Sequence, residues 1–104
     1  MKAVLFRQHG GLDKLSYEDL PIPTIGLDDV LVRVKACALN HLDIWVRKGL
    51  PGIQIPLPHI LGSDISGVVE KLGKGVTRPK VGTPVLITPG IGCGKCKQCR
   101  SGWT

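Results

Sequence analysis

Short apolar runs alternate with turn residues along the chain, a pattern typical of all-β sandwiches and barrels. Five runs are predicted as strands: residues 3–6, 15–20, 30–36, 65–72 and 84–88. In the run 30–36, aliphatic side chains recur at every second position, whereas Arg33 and Lys35 occupy the opposite face. Glycines and prolines fall between the runs, apart from Gly67, which predicts a bulge or a close approach of two backbones.

Residues 40–49 interrupt this alternation and predict a short helix. Asn40 is expected to be its N-cap, with Asp43 accepting a backbone hydrogen bond in a capping box, and Gly49 is expected to end it in a left-handed conformation. Three apolar side chains share one face of this helix and are expected to be buried: Leu42, Trp45 and Val46.

The chain has 104 residues, enough for one domain, and its hydrophobic content of 42% is too high for a disordered protein. Its apolar runs are too short for a membrane span or a signal peptide, so we expect a cytoplasmic protein with no membrane partner.

All eight acidic residues lie in 1–70, whereas 71–104 hold seven Lys and Arg residues and no acid. Thiolates on a metal would offset such a charge, and an aromatic content of 4% provides few stacking platforms, so we expect no nucleic-acid partner.

Three cysteines follow one another at the spacing C-x2-C-x2-C: Cys93, Cys96 and Cys99. This spacing lets turns direct successive sulfur atoms toward one point, as a tetrahedral zinc site requires. The matching iron–sulfur motif needs a cysteine where Trp103 stands, and disulfides between such close neighbours are disfavoured. A structural zinc is therefore predicted. Cys37 lies far from the loop in the sequence and is a poor candidate for the fourth ligand. Because the chain ends shortly after Cys99, we expect it to be an N-terminal fragment.

Five segments together resemble a known superfamily: Met1-Lys2-Ala3, residues 29–34, residues 38–43, residues 58–70 and the cysteine loop. Their order is similar to that of the N-terminal GroES-like domain of the medium-chain dehydrogenase/reductase superfamily, which contains zinc-type alcohol dehydrogenases and quinone oxidoreductases. The resemblance implies a mainly β fold, a twisted barrel with one or two short helices and a cysteine-rich zinc lobe, for residues 1–104. It also implies a Rossmann NAD(P)-binding domain beyond the chain, a fourth zinc cysteine near position 107, and a homo-oligomeric full-length protein, dimer or tetramer.

The resemblance also locates the positions that hold the catalytic zinc in alcohol dehydrogenases. Here they are occupied by Asn40 and Ser63, neither of which is a good zinc ligand. The pattern Asn40-x-x-Asp43 instead resembles the quinone oxidoreductases, although these usually lack the cysteine lobe. We therefore expect hydride transfer from NADP or NAD cofactors in their reduced form to a small-molecule quinone or enone, without a catalytic zinc.

The resemblance gives three residues of this segment candidate roles: Asn40 and Asp43 in catalysis, and His41 in binding the cofactor phosphate. Asn40 would make a polar contact near the substrate or nicotinamide, and Asp43 would fix the local geometry. Ser63 and Asp64 would form part of the floor of the site. The competing interpretation is that Asn40 and Asp43 are only helix caps and His41 is a solvated helix residue.

Two other functions remain open on the sequence. An alcohol dehydrogenase could keep its catalytic zinc through Cys37 or His59, although His59, like His9, is expected in a loop or at the surface. A small zinc-stabilised binding module with a basic surface is the alternative from another class.

Overall fold

The computed structural model describes residues 1–102, which form two three-stranded antiparallel sheets and two short α-helices. The strands are β1 (Lys2–Phe6), β2 (Ser16–Asp19), β3 (Val30–Ala38), β4 (His59–Ile60), β5 (Asp64–Leu72) and β6 (Pro84–Ile87). The helices are α1 (His41–Lys48) and α2 (Lys97–Arg100), and a 3-10 turn covers Leu12–Lys14. All five predicted strands are therefore confirmed within a few residues at their ends, and the two-residue β4 was not predicted.

The first sheet has the strand order β2-β1-β4 and the second has the order β3-β5-β6. In the second sheet, the long pairing of β3 with β5 begins with Val30 opposite Leu72 and ends with Ala38 opposite Asp64. The register shifts twice along this pairing, which gives the two strands irregular alternation of their side chains. The regular two-sided pattern predicted for residues 30–36 is therefore interrupted inside the strand.

Gly67 lies at one of these irregularities, opposite Val34 and in a buried position. A Cβ atom at Gly67 would lie 2.3 Å from the carbonyl oxygen of Arg33, which is far inside van der Waals contact. The close backbone approach predicted at Gly67 is confirmed, and only glycine fits there without movement of β3.

Among residues 1–102, the fully buried apolar side chains are few: Leu5, Phe6 and Val69. The rings of His9 and His59 pack at tilted angles against Phe6, with centroid distances of 5.4 and 5.7 Å. Both histidines are half-buried. His9 lies in the loop after β1, as expected, whereas the expectation of a loop or surface position is wrong for His59, because β4 brings it into the first sheet beside Phe6.

Helix α1 is correctly predicted in its bounds, but the prediction of its buried face is wrong. Leu42 and Trp45 are 44% and 50% exposed, and the buried residue of the helix is Arg47. Gly49 follows the helix with φ of 99° and ψ of 137°, so its positive φ agrees with the prediction while its ψ lies outside the left-handed helical region. Within residues 1–102, no helix is long and apolar enough to cross a membrane.

Candidate functional site

Asn40 lies where β3 passes into α1, and it is held from two directions. Its side-chain Nδ2 donates a hydrogen bond to Asp64 Oδ2 at 2.8 Å. This contact follows from the register of the second sheet, because the pair Ala38–Asp64 brings the end of β3 beside the start of β5. The structure thereby brings together Asn40 and Asp64, both of which are exposed.

Asp43 fixes the backbone of the same residue. Its Oδ2 accepts a hydrogen bond from the backbone N–H of Asn40 at 2.9 Å, while the Asp43 N–H donates to the Asn40 carbonyl oxygen at 3.0 Å. The predicted capping box is confirmed. These contacts satisfy the competing interpretation of both residues as caps. Together with the hydrogen bond to Asp64, they also hold the exposed Asn40 side chain in one position.

His41 is the first residue of α1 and is exposed. Its ring meets Trp45 edge-to-face, with a centroid distance of 4.8 Å and an interplanar angle of 74°. The two rings form an exposed aromatic surface beside Asn40. The expectation that Trp45 belongs to the core is wrong, because neither sheet covers this side of α1.

Neither Cys37 nor His59 joins Asn40 in a set of metal ligands. Cys37 Sγ lies 3.7 Å from the carbonyl oxygen of Ala38, and His59 packs against Phe6. In the part of the chain that the structure describes, three metal-ligating side chains come together only at the cysteine loop.

The sulfur atoms of Cys93, Cys96 and Cys99 all lie within 4.8 Å of one another, and those of Cys93 and Cys99 are 3.9 Å apart. Tetrahedral zinc with Zn–S bonds of about 2.3 Å places its sulfur ligands about 3.8 Å apart. The three thiols therefore fit a zinc ion as three of its four ligands. Most of this loop is exposed, with only Cys99 partly covered.

Backbone N–H groups point at the sulfur atoms of this loop. The amides of Lys95 and Cys96 donate to Cys93 Sγ at 3.4 and 3.3 Å, and that of Cys99 donates to Cys96 Sγ at 3.4 Å. The hydrogen bond from Lys95, then that from Cys96, lowers the pKa of the Cys93 thiol from 9.0 to about 7. The loop thus stabilises the thiolate form that binds a metal.

Two glycines allow this loop geometry. Gly94 has φ of 73°, a left-handed conformation that turns the chain between the first two cysteines. A Cβ atom at Gly92 would lie 2.9 Å from Cys99 Sγ. Larger residues at either position would disturb the convergence of the sulfur atoms.

The structure also contains a feature that sequence analysis missed, the Arg47 cleft. This cleft of about 440 Å³ lies against the cap and one face of α1; its lining is mostly aliphatic but includes Asn40, Asp43 and Arg47. In the sequence, Arg47 follows Asp43 by four residues, a spacing typical of an exposed helix ion pair, so no signal indicated that it would be buried.

Comparison with known proteins supports the same fold. Residues 26–104 match the family model described as "Alcohol dehydrogenase GroES-like domain". An L-threonine 3-dehydrogenase of Rhizobium etli is 39% identical over 92 residues, which covers 82% of this chain and 25% of that enzyme. A crystal structure of an NAD-dependent alcohol dehydrogenase is 50% identical with a TM-score of 0.91, covering 99% of this chain and 30% of that one.

Two further structures differ in how much of the chain they match. A thermostable alcohol dehydrogenase of Pyrobaculum aerophilum, solved with cobalt and zinc, is 41% identical over 100% of this chain and 31% of its own, with a TM-score of 0.91. A quinone oxidoreductase of Pseudomonas syringae pv. Tomato DC3000 is also 41% identical, but it covers 84% of this chain and 26% of its own, with a TM-score of 0.77.

The chain thus spans between about a quarter and a third of the length of these relatives. The family match covers both Asn40 and the cysteine loop, and the fold agrees over nearly the whole chain. The chain belongs to the alcohol dehydrogenase GroES-like domain family, within the medium-chain dehydrogenase/reductase superfamily.

Proposed function

We propose that this chain is the N-terminal catalytic-domain portion of an NAD(P)-dependent reductase that transfers hydride to the electron-poor double bond of an enone or quinone. In this proposal the protein carries one structural zinc, on Cys93, Cys96 and Cys99, and no catalytic zinc. The observation that carries it is the donor set at the end of β3, where an Asn40 amide hydrogen-bonded to Asp64 stands in place of a thiolate.

The chemistry of that donor set favours reduction of a double bond over oxidation of an alcohol. An amide and a hydroxyl such as Ser63 bind zinc poorly in comparison with thiolate and imidazole. Without a Lewis acid, nothing lowers the pKa of a bound alcohol. Conjugate reduction depends instead on the orientation of the reactants and on hydrogen bonds to the developing enolate oxygen.

Each candidate residue then has a role that its contacts support. The bound reduced nicotinamide would supply the hydride, which carries two electrons, and the oxidised cofactor would leave as NAD(P)⁺. Water would supply the proton that completes the reduction. Asn40 would contact the substrate or the nicotinamide, and Asp43 would hold Asn40 in position through its backbone N–H. His41, exposed at the start of α1, would contact the cofactor phosphate.

The exposed surface of the chain supports a larger protein with a separate dinucleotide domain. The accessible area is 8217 Å², whereas a folded monomer of 11.2 kDa exposes about 5,700 Å². Large apolar side chains such as Leu39 and Leu86 are more than four-fifths exposed. Further polypeptide, including a Rossmann domain as in the proposed full-length enzyme, would cover this surface.

The test uses the full-length protein and combines metal content with substrate class. We expect one zinc per chain by elemental analysis, oxidation of NADPH or NADH with 2-cyclohexen-1-one or 1,4-benzoquinone, and no chelator-sensitive reduction of NAD⁺ or NADP⁺ by alcohols. Cys37→Ser and His59→Gln serve as matched variants, because a catalytic zinc held by either residue would be lost with it. Two zinc ions per chain and alcohol oxidation abolished by either variant would contradict the proposal.

The alternative with a specific observation in its favour is an alcohol dehydrogenase with a catalytic zinc. The curated relatives are named as dehydrogenases of threonine and other alcohols. The same experiment separates the two functions, since only the alternative requires a second zinc ion.

A further inference from the structure

Arg47 combines deep burial with an unsatisfied donor. Its residue is 7% exposed, and its Nε is buried without a hydrogen-bond partner among residues 1–102. Among the same residues, no carboxylate lies within 4.0 Å of its guanidinium. An arginine side chain does not lose its proton in proteins, and a buried N–H such as this Nε requires an acceptor.

The neighbouring acid is committed elsewhere. Asp43 lies one turn before Arg47 on α1, but its Oδ2 accepts the N–H of Asn40. The Arg47 carbonyl oxygen accepts the Gly10 N–H at 3.0 Å and lies 3.3 Å from His9 Nδ1, which anchors the end of the helix but leaves the guanidinium unpaired. The fold thus holds Arg47 in place from its backbone, and the residue forms part of the lining of the Arg47 cleft.

The cleft is built for a small amphipathic ligand. Its volume of about 440 Å³ is in the range of small-molecule sites, and aliphatic side chains such as Leu12, Leu39 and Leu61 provide most of its lining. Arg47 is the one arginine or lysine in that lining, which also includes Asn40, His41 and Asp43. A ligand with an apolar body and a carboxylate would satisfy both the lining and the unpaired guanidinium.

We propose that the Arg47 cleft binds the carboxylate of the substrate, so that the substrate is an unsaturated keto acid rather than a neutral enone or quinone. This inference rests on the proposed function and deepens it by naming the substrate class. Arg47 determines specificity and takes no part in hydride transfer. Residues 40 and 47 are about 10 Å apart along a helix, and the arginine side chain extends back toward the N-terminus. A short chain of about five carbons can therefore reach from Asn40 to the guanidinium.

The probe pair is 4-oxo-2-pentenoate and its methyl ester, which differ in the charge of the carboxyl group. In the full-length enzyme, Arg47→Gln is expected to raise the KM for the acid by about 10- to 100-fold, as expected for a charge-assisted bidentate contact. Its kcat for the acid and its kcat/KM for the ester should change by less than about threefold, since the reacting atoms are untouched. Arg47→Lys should recover part of the loss because it keeps the charge without the planar fork.

Lys48→Gln is the matched control, because it removes an exposed cation from the same helix. Lys48→Gln is expected to leave the ratio of kcat/KM for the acid to kcat/KM for the ester unchanged. Binding of levulinate, the saturated product, measured by calorimetry should be lost in Arg47→Gln and retained in Lys48→Gln. Circular dichroism and Tm identify any variant that fails to fold, in which case Arg47→Lys carries the comparison.

Three outcomes decide whether the Arg47 cleft binds the substrate carboxylate. An acid-specific rise in KM supports the inference. Equal loss for acid and ester, or a large drop in Tm without ligand, would overturn it and indicate that Arg47 pairs with a part of the protein outside residues 1–102. If the wild type reduces neither compound nor 2-cyclohexen-1-one, the proposed function fails, whereas Arg47-dependent binding of levulinate would still support the carboxylate site.

Discussion

The cysteine loop and the Asn40 site are assembled in opposite ways. In the loop, the three sulfur atoms and the amides that point at them come from residues within seven positions of one another. At the Asn40 site, the side-chain hydrogen bond joins residues 24 positions apart, across the pairing of β3 with β5. The first depends on turn geometry and the second on sheet register, so changes to the chain should affect them separately.

The largest expected effect comes from removing a metal ligand in the full-length protein. Cys93→Ser should reduce the zinc content from about one ion per chain to less than about 0.1 after dialysis, because two remaining loop thiols hold zinc poorly. Enone reduction measured well below the Tm should change by less than about threefold, because this metal does not touch the reacting atoms. Elemental analysis and NADPH oxidation provide the two readouts.

Cys37→Ser is the matched control, since Cys37 is exposed and lies outside the cysteine loop. It should keep its zinc. If both variants lost the metal equally, the ligand set would extend to Cys37 and the separation of the two regions would be wrong.

The second effect is on catalysis. Asn40→Ser replaces the amide donor with a residue that still caps a helix, so stability should change by less than about 0.5 kcal/mol. The kcat/KM for enone reduction should fall about 100-fold, the usual result of removing one hydrogen-bond donor from a developing oxyanion. Steady-state kinetics and thermal unfolding measure the two quantities.

Asp43→Ala serves as the comparison, because it should reduce stability more than Asn40→Ser does and kcat/KM less. It removes the acceptor of the Asn40 N–H and should cost about 1 kcal/mol of stability. Its kcat/KM should fall less than that of Asn40→Ser. Kinetics of Asn40→Ser equal to wild type would leave Asn40 as a cap alone.

The difference between local and distant contacts also explains what sequence could predict. The cysteine spacing, the glycines of the loop, the capping box and five strands follow from short-range rules. The burial of Arg47 and the exposure of Trp45 do not, because each depends on which face of α1 the sheets cover. The Asn40–Asp64 contact depends on the irregular register of β3 and β5, and shifting that register by one residue would turn the side chains to the opposite face.

The third prediction tests that register directly. Gly67→Ala places a Cβ atom against the Arg33 carbonyl oxygen and should lower the free energy of unfolding by about 2 kcal/mol, which corresponds to about 30-fold in the folding equilibrium. Because Gly67 lies in the pairing that positions Asp64, kcat/KM should also decrease while zinc content stays the same. Denaturant unfolding, kinetics and elemental analysis check the three parts.

Gly11→Ala is the control for this change. Gly11 has φ of −78°, and a Cβ atom there would meet only the flexible Asp13 carboxylate, at 3.0 Å. Its stability should lie within about 0.5 kcal/mol of wild type. If Gly67→Ala were as stable as Gly11→Ala, β3 would have moved to accommodate the new Cβ atom with no loss of free energy of unfolding.

The smallest effect concerns the thiol chemistry of the loop in zinc-free protein. With its pKa near 7, Cys93 should be half thiolate at neutral pH and should react with iodoacetamide about five- to tenfold faster than free cysteine whose pKa is 9.0. The lowered pKa also means that the thiolate's contribution to stability is fully present above pH 9.0 and is lost as pH falls through about 7. Peptide mapping by mass spectrometry across pH 6–10 follows the modification of Cys93 itself.

Gly94→Ala tests whether this reactivity comes from the local backbone. No atom lies within 4 Å of a Cβ at Gly94, so the substitution acts only by opposing its φ of 73°. The amides of Lys95 and Cys96 should then turn away from Cys93 Sγ, and the midpoint of alkylation should move from about 7 toward 9.0. Gly67→Ala should leave this midpoint unchanged, because it disturbs the distant sheet register. A shared shift in both variants would show that the loop depends on the sheet after all, and the contrast between a local and a long-range site would not hold.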